Sequence, residues 1–436
     1  MSEAASWARS FPWRPRQLGQ TSIIAVLGFT QCLAWGSSYY LLAVLAKPIA
    51  ADTGWSLTWV VGGLSLGLLL AGFASPAMGR AVERFGGRPV LAWGSVILAL
   101  GLAGLGVSEH LITYLAAWAI LGIGMAVGLY DAAFATLGRL YEARARRLIT
   151  NLTLIGGFAS TLAWPLSAFF VETWGWRGAC FAYAGMHIAL GLPMHLLLLP
   201  VEGKHSVTTS RPAENLADAE SVPGREALWP RRPYLVLVWM LAVNFTLQAV
   251  IATVMSVHLL TILQRLGLEL GAAVALGTLV GPSQVGGRLL EVAFGRHFHP
   301  VWTAVAASLF VFAGLTLLLV VPPMVMAGAL VLYGAGNGIK TIVKGTLPLA
   351  LFGSSGYAAL MGRLAMPTLL AQAVAPTLIA FTLADSRPER LVAILASLAL
   401  LNVLLSYAMR LASPRNEQAS KEESVRRTID KNLSSH

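Results

Sequence analysis

Charged residues are scarce in this chain. Of its 436 residues, 31 are Lys or Arg and 20 are Asp or Glu, which is 12% of the chain, whereas 56% are hydrophobic. Water-soluble domains carry about 25% charged residues. A chain so poor in charge cannot cover its apolar surface in water, so its composition excludes a soluble domain. It predicts a membrane protein, divided at about 20 apolar residues per crossing.

Cysteine and short catalytic motifs are scarce as well. Cys32 and Cys180 both lie inside apolar runs, which excludes a disulfide scaffold and a cysteine-based metal cluster. The sequence has no His-Glu-x-x-His motif, no paired membrane aspartates and no Walker-type phosphate loop. We therefore expect no enzyme activity, no metal site, no cofactor and no ATP-driven pumping.

Apolar runs bounded by charged or turn residues predict twelve membrane-spanning helices. Their approximate bounds are 20–46, 57–77, 89–107, 112–138, 148–171, 178–200, 233–262, 270–287, 301–321, 324–346, 364–383 and 391–411. The stretch 201–232 is polar, contains three prolines and mixes acids with bases, which predicts a flexible linker. The expected fold is an all-α integral membrane protein. Its predicted parts are a leading segment (1–19), two six-helix halves (20–200 and 233–411), the linker between them and a disordered tail (412–436).

The positive charges predict an orientation for this fold. With a cytoplasmic amino terminus, 25 of the 31 Lys and Arg residues fall on the cytoplasmic side. The positive-inside rule then places both termini in the cytoplasm, with the cell (inner) membrane as the location. In a soluble protein the net charge of +11 would suggest nucleic acid as a partner. Here we expect the lipid bilayer, no nucleic acid and a monomer.

The chain contains an internal repeat. The pattern Gly-Arg-x-x-Glu-x-x-x-Gly-Arg, which we call the Gly-Arg frame, occurs twice at an offset of 208. Polar segments of predicted helices 4 and 10 match at an offset of 210. The first copy of the frame contributes Gly79, Arg80, Glu83, Arg84, Gly86 and Arg88, and the second contributes Gly287, Arg288, Glu291 and Arg296. Near-equal offsets indicate duplicated halves, a recurrent plan in transporters.

The first copy resembles the signature between helices 2 and 3 of the major facilitator superfamily, with Glu83 in place of the usual aspartate. The resemblance implies two pseudo-symmetric six-helix halves that work by alternating access. It also implies a glycine-permitted turn and an acid that contacts an opposing helix terminus in one state only. Segments 40–63 and 144–157 and the Gly175-Trp176-Arg177 sequence are similar to the monocarboxylate transporters and the oxalate/formate antiporters.

In that superfamily, helices 1, 4, 7 and 10 line the cavity, which implies a set of substrate-binding candidates on one face of each helix. They are Gln31, Trp35 and Tyr39 on helix 1, Tyr130 on helix 4, Asn244 and Gln248 on helix 7, and Tyr333, Asn337 and Lys340 (or Thr341) on helix 10. Such neutral side chains also bond to neighbouring helices, which is the alternative reading of each.

Three charges within helices stand out, because a central Asp or Lys costs about 2.5–3.5 kcal/mol on insertion. Under a first hypothesis Lys340, helped by Asn337, attracts an anionic substrate. Under a second, Asp131 pairs with Lys340 or Lys344 as a gate when the cytoplasmic side is closed. Under a third, Lys344 snorkels to the interface and Asp131 binds a base on a neighbouring helix.

Protons are the candidate coupling ion. His187, His195 and His258 are the side chains that titrate near neutrality, but helix 6, which carries two of them, is peripheral in this fold. Asp131 is the better candidate, because burial and a neighbouring Lys act on a carboxyl in opposite directions. The sequence thus predicts a secondary transporter of a small organic anion, such as a monocarboxylate. The alternatives are efflux of drugs or metabolites and, in a different class, a non-transporting receptor or sensor.

Overall fold

The structure, a computed structural model, describes residues 19–200, 231–320, 322, 325–385 and 388–412. The predicted leading segment (1–19), linker (201–232) and tail (412–436) lie outside the described residues, apart from a few residues at their boundaries. The described residues form helices joined by short turns and contain no strand. The expected all-α fold is therefore confirmed.

Eight α-helices precede the linker. They are α1 (Gln20–Gly36), α2 (Leu42–Thr53), α3 (Leu57–Phe85), α4 (Gly87–Gly106), α5 (Leu111–Gly128), α6 (Tyr130–Tyr141), α7 (Ala145–Gly156) and α8 (Ala159–Met186). The chain continues from α8 through two π-helical turns, His187–Gly191 and Met194–Leu198.

Seven described α-helices follow the linker. They are α9 (Arg231–Arg265), α10 (Leu270–Gly277), α11 (Val280–Phe294), α12 (Pro300–Val320), α13 (Met326–Phe352), α14 (Tyr357–Asp385) and α15 (Pro388–Leu411).

The observed helices differ from the predicted spans where predicted spans are merged, split or interrupted by polar residues. Within the described residues, eight helical stretches are long and apolar enough to cross a membrane, and one of them, Ala145–Leu198, contains two predicted spans. These two run together through Gly175, which has a φ of 70°. Predicted spans 20–46 and 270–287 are each split into two short helices, and span 324–346 carries polar residues within it. These three spans are absent from the eight.

Breaks in the helices lie beside one another. The bonding pattern changes between α1 and α2 at residues 37–41, and between α5 and α6 at Leu129, whose ψ of −170° is extended. An extended residue leaves a helix carbonyl without its usual partner. Gln31 supplies one, because its Nε2 donates to the carbonyl oxygen of Gly128 over 2.7 Å. A side chain of α1 thus satisfies a backbone carbonyl at the break between α5 and α6.

Packing joins the parts of the chain before and after the linker. Helices α3 and α14 lie against each other at glycines: a Cβ on Gly79 would lie 2.5 Å from the carbonyl oxygen of Ala358. One core cluster combines Phe134 and Leu137 of α6 with Tyr357 and Met361 of α14. We call the end of the bundle that holds this cluster and both copies of the Gly-Arg frame the motif end.

Candidate functional site

A cavity of about 860 Å³ lies between the parts of the chain before and after the linker. The motif end closes it on one side. The cavity is bordered by α1, α3, α5 to α11, α13 and α14. Seven of the nine predicted substrate-binding residues line it: Trp35, Tyr39, Tyr130, Gln248, Tyr333, Asn337 and Lys340. Thr341, the alternative on the same turn as Lys340, also lines it. The helical-face argument thus selected side chains that converge on one space.

Gln31 and Asn244 are placed elsewhere, outside the residues that line this cavity. Both are fully buried. Gln31 bonds to the end of α5, as described above, and Asn244 Nδ2 donates to Asn402 Oδ1 over 2.7 Å. In this conformation both residues connect helices, which is the alternative reading of polar residues in a bundle.

Lys340 is 5% exposed and is held by amide oxygens. Its Nζ donates to Asn402 Oδ1 over 2.7 Å and to Asn244 Oδ1 over 3.2 Å. Ser308 also donates to Asn402 Oδ1, over 3.1 Å, and Ser406 lies in the same cluster. No carboxylate among the described residues comes within ion-pair distance of Lys340. We call these five residues, drawn from α9, α12, α13 and α15, the amide cluster.

Lys344, one turn further along α13, has a different partner. Its Nζ lies 2.8 Å from Asp131 Oδ1 and 2.9 Å from Oδ2. Asp131 stands in the first turn of α6, directly after the break at Leu129, where the helix amino end favours a negative charge. Of the two partners that the sequence left open for Asp131, the structure selects Lys344. The pair joins the two parts of the chain at the floor of the cavity, on the side of the motif end.

Arg288 differs from its expected position. The repeat placed it in a loop after a helix ending at residue 287, but α11 continues to Phe294 and Arg288 lines the cavity. The residue is 6% exposed, and neither a hydrogen-bond acceptor nor an ion-pair partner for it exists among the described residues. The apolar run Leu289-Leu290 and Val292–Phe294 was the signal that the helix continues.

Two neighbouring side chains are donors without acceptors. The Trp35 indole N–H and the Tyr130 hydroxyl are buried atoms with no hydrogen-bond partner in the described part of the chain. Both residues line the cavity, as does Arg288. A buried donor without an acceptor costs about 1–3 kcal/mol, so these donors are available to bond to water or to a ligand in the cavity.

A glycine pair makes room for these donors. A Cβ on Gly156 would overlap the Tyr130 hydroxyl, and a Cβ on Gly157 would overlap Nη1 of Arg288. Both glycines lie where α7 ends, and both line the cavity. The backbone of this turn therefore approaches the guanidinium and the phenol more closely than any other residue type would allow.

At the motif end, the first Gly-Arg frame contacts α14. Glu83 Oε1 accepts a hydrogen bond of 3.1 Å from the backbone N–H of Ala358, in the first turn of that helix. Arg139 donates to the carbonyl oxygen of Glu83 and lies 3.3 Å from its Oε2. Gly86 makes the turn with a φ of 86°. The acid thus contacts an opposing helix terminus, as the resemblance implied. Among the frame's bases, Arg80 and Arg84 are exposed and Arg88 is half-buried.

In the second Gly-Arg frame, the acid lies after the linker and its partner lies before it. Glu291 Oε1 lies 3.7 Å from Nη2 of Arg146, at the start of α7, and Arg146 donates to the carbonyl oxygen of Gly295 over 2.8 Å. A Cβ on Gly287 would overlap the backbone of Ala335, so this glycine lets α11 approach α13. Arg296 lies in the short helix Gly295–His297, and its side chain is outside the described part of the structure.

The histidines that the sequence singled out lie outside the cavity lining. His187 Nε2 is 2.8 Å from Ser37 Oγ, while His195 bridges Ser95 and Thr30, each over 3.0 Å. His258 Nε2 is 3.2 Å from the carbonyl oxygen of Pro376. All three rings thus have partners that connect helices.

Comparison with known sequences agrees with this architecture. The family model of the Major Facilitator Superfamily matches residues 27–349. Monocarboxylate transporter 11 of Mus musculus is 34% identical over 178 residues, which is 38% of this chain and 38% of the relative. Monocarboxylate transporter 3 of Rattus norvegicus is 32% identical over 139 residues, or 31% and 26% of the two chains. The matched segment thus spans less than two fifths of these relatives.

Solved structures share the fold. The proton:xylose symporter XylE aligns with a TM-score of 0.70 at 14% identity, covering 89% of this chain and 95% of the symporter. The human organic anion transporter MFSD10 aligns with a TM-score of 0.69 at 18% identity, covering 89% and 100%. The solved structures show the fold of a multi-pass membrane protein, and the sequence matches show a resemblance to the monocarboxylate transporter branch. The family model matches most of the length of the chain. The chain belongs to the major facilitator superfamily.

Proposed function

We propose that this protein is a secondary active transporter of a small organic anion of the monocarboxylate class, and that Arg288 binds the carboxylate. The observation that carries the proposal is the buried, cavity-lining guanidinium of Arg288, which has no counter-charge among the described residues. A charge out of water is costly unless it is paired. An anionic ligand is the partner that offsets this cost.

The chemistry around Arg288 suits a carboxylate. A guanidinium presents two parallel N–H groups that match the two oxygens of a carboxylate, and this geometry gives strong, oriented binding. The Tyr130 hydroxyl and the Trp35 N–H supply further donors at the same wall. The matched relatives, which are named monocarboxylate transporters, support the same substrate class.

The proposed architecture has twelve spans in two halves, 20–200 and 233–411, with both termini in the cytoplasm of the cell (inner) membrane. Its support is the agreement between the split or merged helices and the twelve predicted apolar runs. The positive-inside rule makes the motif end cytoplasmic. A monomer suffices for this mechanism, since one chain supplies the whole cavity lining.

Alternating access follows from which end of the cavity is tied together. Asp131 to Lys344, Glu83 to Ala358 and Arg146 to Gly295 all join the proposed halves near the motif end. On the opposite side, the cavity is bordered by exposed residues such as Thr161 of α8 and Gly281 of α11. This arrangement supports an outward-facing state, from which rocking would break the three ties and open the cytoplasmic side.

Protons would couple to transport through Asp131. A carboxylate attracts the Lys344 ammonium, whereas a protonated carboxyl no longer carries the charge that holds the gate closed. Proton binding would thus favour opening at the motif end. The direction of transport follows from the gradient of protons or of substrate.

The test measures uptake into proteoliposomes. We expect Arg288→Gln to weaken binding of a carboxylate substrate by about 2 kcal/mol or more, which is roughly thirtyfold or more. Arg288→Lys keeps the charge but loses the planar fork, so it should retain partial uptake. Gly157→Ala keeps the arginine but displaces it, and should lie between these two. Lys47→Gln removes one exposed positive charge and is the matched control.

Substrate class is tested with a panel of mono- and dicarboxylates and hydrophobic cations, each with and without a proton gradient. Monocarboxylate uptake that is driven by the gradient and lost in Arg288→Gln is the expected result. Uptake of cations alone, or normal carboxylate uptake in Arg288→Gln, would overturn the proposal.

A further inference from the structure

The cavity is far larger than a two- or three-carbon acid requires. Its volume of about 860 Å³ equals that of roughly 30 liquid water molecules, at about 30 Å³ each. Pockets of about 300–1,000 Å³ hold drug-sized ligands. A small aliphatic carboxylate bound at Arg288 would leave most of this space to water, so the cavity has room for a substrate with a bulky group attached to its carboxylate.

The wall beside Arg288 consists of aromatic rings. The Trp35 ring lies 5.1 Å from Tyr130, 5.4 Å from Tyr39 and 6.0 Å from Tyr40, measured between ring centroids. The Tyr130 ring is in turn stacked on Phe134 at 5.2 Å and 9°. We call Trp35, Tyr39, Tyr40 and Tyr130 the aromatic wall. All four line the cavity, and each ring is held in place by at least one other.

Trp35 is the centre of this wall. It contacts the other three rings and is itself only half-buried, so part of its indole borders the cavity. Aromatic pairs prefer offset or edge-to-face arrangements and contribute about 0.5–1.5 kcal/mol beyond the burial of their surface. A ligand ring would find such a partner in Trp35. Its neighbour Tyr130 and the guanidinium of Arg288 both lie against the glycine pair Gly156-Gly157.

The part of the chain after the linker also contributes rings to the cavity lining. Phe245 of α9 and Tyr333 of α13 line it, and both are nearly completely buried. A flat apolar group that extends beyond the aromatic wall would therefore meet further aromatic surface.

We propose that the transported anion is an aromatic monocarboxylate, whose carboxylate binds Arg288 and the Tyr130 hydroxyl while its ring lies against Trp35. The proposal rests on the proposed function and specifies its substrate: the charge and the ring are recognised by adjacent groups of one wall. A substrate with one or two bonds between ring and carboxylate, such as an arylacetate, fits this adjacency.

The first test compares three probes on the purified full-length protein, by ligand-induced thermal shift and by uptake into proteoliposomes. Phenylacetate, cyclohexylacetate and acetate share the carboxylate and differ in the attached group. We expect phenylacetate to bind at least tenfold more tightly than acetate, since it buries a six-carbon group. It should bind about 3- to 10-fold more tightly than cyclohexylacetate, because only the aromatic ring gains the additional pair energy.

The second test changes the wall. Trp35→Leu should lower the affinity for phenylacetate several-fold more than the affinity for acetate, since both probes lose the indole N–H but only phenylacetate loses a ring partner. Trp35→Phe should retain most of the preference for a ring. Trp93→Leu is the matched control, because that tryptophan is 65% exposed on α4 and lies outside the cavity lining.

The outcomes separate this inference from the proposed function. Arg288-dependent binding of all three probes with equal affinity would overturn the aromatic preference and leave carboxylate transport intact. Equal affinities for phenylacetate and cyclohexylacetate would likewise overturn recognition of the aromatic ring by Trp35. Absence of binding by every carboxylate, with or without Arg288, would overturn both proposals. The comparison of probes on the unmodified protein does not depend on whether a Trp35 variant folds.

Discussion

Lys340 and Lys344 stand one turn apart on α13 and are stabilised in opposite ways. Lys344 meets the carboxylate of Asp131, which reaches it from α6, before the linker. Among the described residues, Lys340 bonds to amide oxygens from α9 and α15, both of which follow the linker. One lysine thus forms an ion pair with a distant part of the chain, and the other is held by hydrogen bonds within its own part.

This difference separates two roles that adjacent lysines can have in a transporter. Under the proposed rocking mechanism, a bond between the halves would break as they move apart, and the Lys344 pair would break with it. A cluster within one half would move as a unit and keep its geometry. The Lys340 cluster would then stay intact while the Lys344 pair forms and breaks.

Asp131→Asn should have the largest effect on uptake and stability, because it removes the ion pair that distinguishes Lys344 from Lys340. The substitution leaves Lys344 without its counter-charge at a mostly buried position, and removal of one partner from a buried pair costs about 3–5 kcal/mol. Because Lys344 is 23% exposed, we expect the lower end of that range. Uptake should fall at least tenfold, and the melting temperature of the purified protein should fall with it.

A double substitution is the control for that effect. Asp131→Asn with Lys344→Gln removes both charges, so most of the thermal stability should return. Uptake should stay impaired or lose its dependence on the proton gradient. Normal gradient-driven uptake in the double variant would show that the pair is not a gate.

Asn402→Leu should have the next largest effect. Asn402 Oδ1 accepts from Lys340, Asn244 and Ser308, so its loss removes the closest acceptor of a buried ammonium. Hydrogen bonds to charged groups contribute about 1.5–3 kcal/mol, and we expect a loss of about 2 kcal/mol in stability. The measurement is the melting temperature. Ser397→Ala, on the same helix but exposed, is the matched control and should change little.

Lys340→Met separates the contribution of Lys340 to anion affinity from its contribution to stability. Asn402 Oδ1 keeps two other donors when the ammonium is removed, whereas Asn244 Oδ1 loses the donor described above, so the cost should be about 1–2 kcal/mol. The affinity for an anion should fall several-fold as the positive potential of the cavity decreases. Half-saturation constants for uptake measure this effect, and an unchanged constant would remove Lys340 from substrate attraction.

Glu83→Gln should have the smallest effect of the four. The amide oxygen of Gln can still accept the hydrogen bond from the backbone of Ala358, and only the charge beside Arg139 is lost. An exposed or half-exposed ion pair contributes about 0–1 kcal/mol. We expect uptake within a factor of about three of the unmodified protein. Glu83→Ala, which removes the acceptor as well, should reduce uptake further.

Local patterns predicted much of this site. Steps of four along predicted helices 1, 7 and 10 grouped Trp35, Gln248 and Asn337 on faces that do converge on the cavity. The same reasoning offered Asp131 two partners, since Lys340 and Lys344 are at adjacent turns of one helix. Periodicity states which residues share a face, but it does not give the rotation or the depth of a helix beside its neighbour.

Arg288 shows where local reasoning failed. The repeat assigned it to a loop, because its counterpart Arg80 follows the same glycine and a charged residue commonly ends a membrane helix. In the structure Arg80 is exposed, whereas Arg288 is buried against Gly157. Equivalent positions of a repeat thus have different environments, since the two copies meet different neighbours. Asn402 and Ser406, at a step of four on α15, were missed because the search for polar faces covered only predicted helices 1, 4, 7 and 10.

The sequence by itself determined that the chain is a helical membrane protein, how its apolar runs are spaced, and that its two parts are related by a repeat. These properties depend on local composition, because each apolar run must satisfy its own backbone hydrogen bonds in lipid. Only the tertiary structure decided that Lys344 pairs with Asp131, that Lys340 lies among amides and that Arg288 lines the cavity. Contacts between helices depend on how side chains from distant segments fit together, and residue spacing along the chain does not specify that fit.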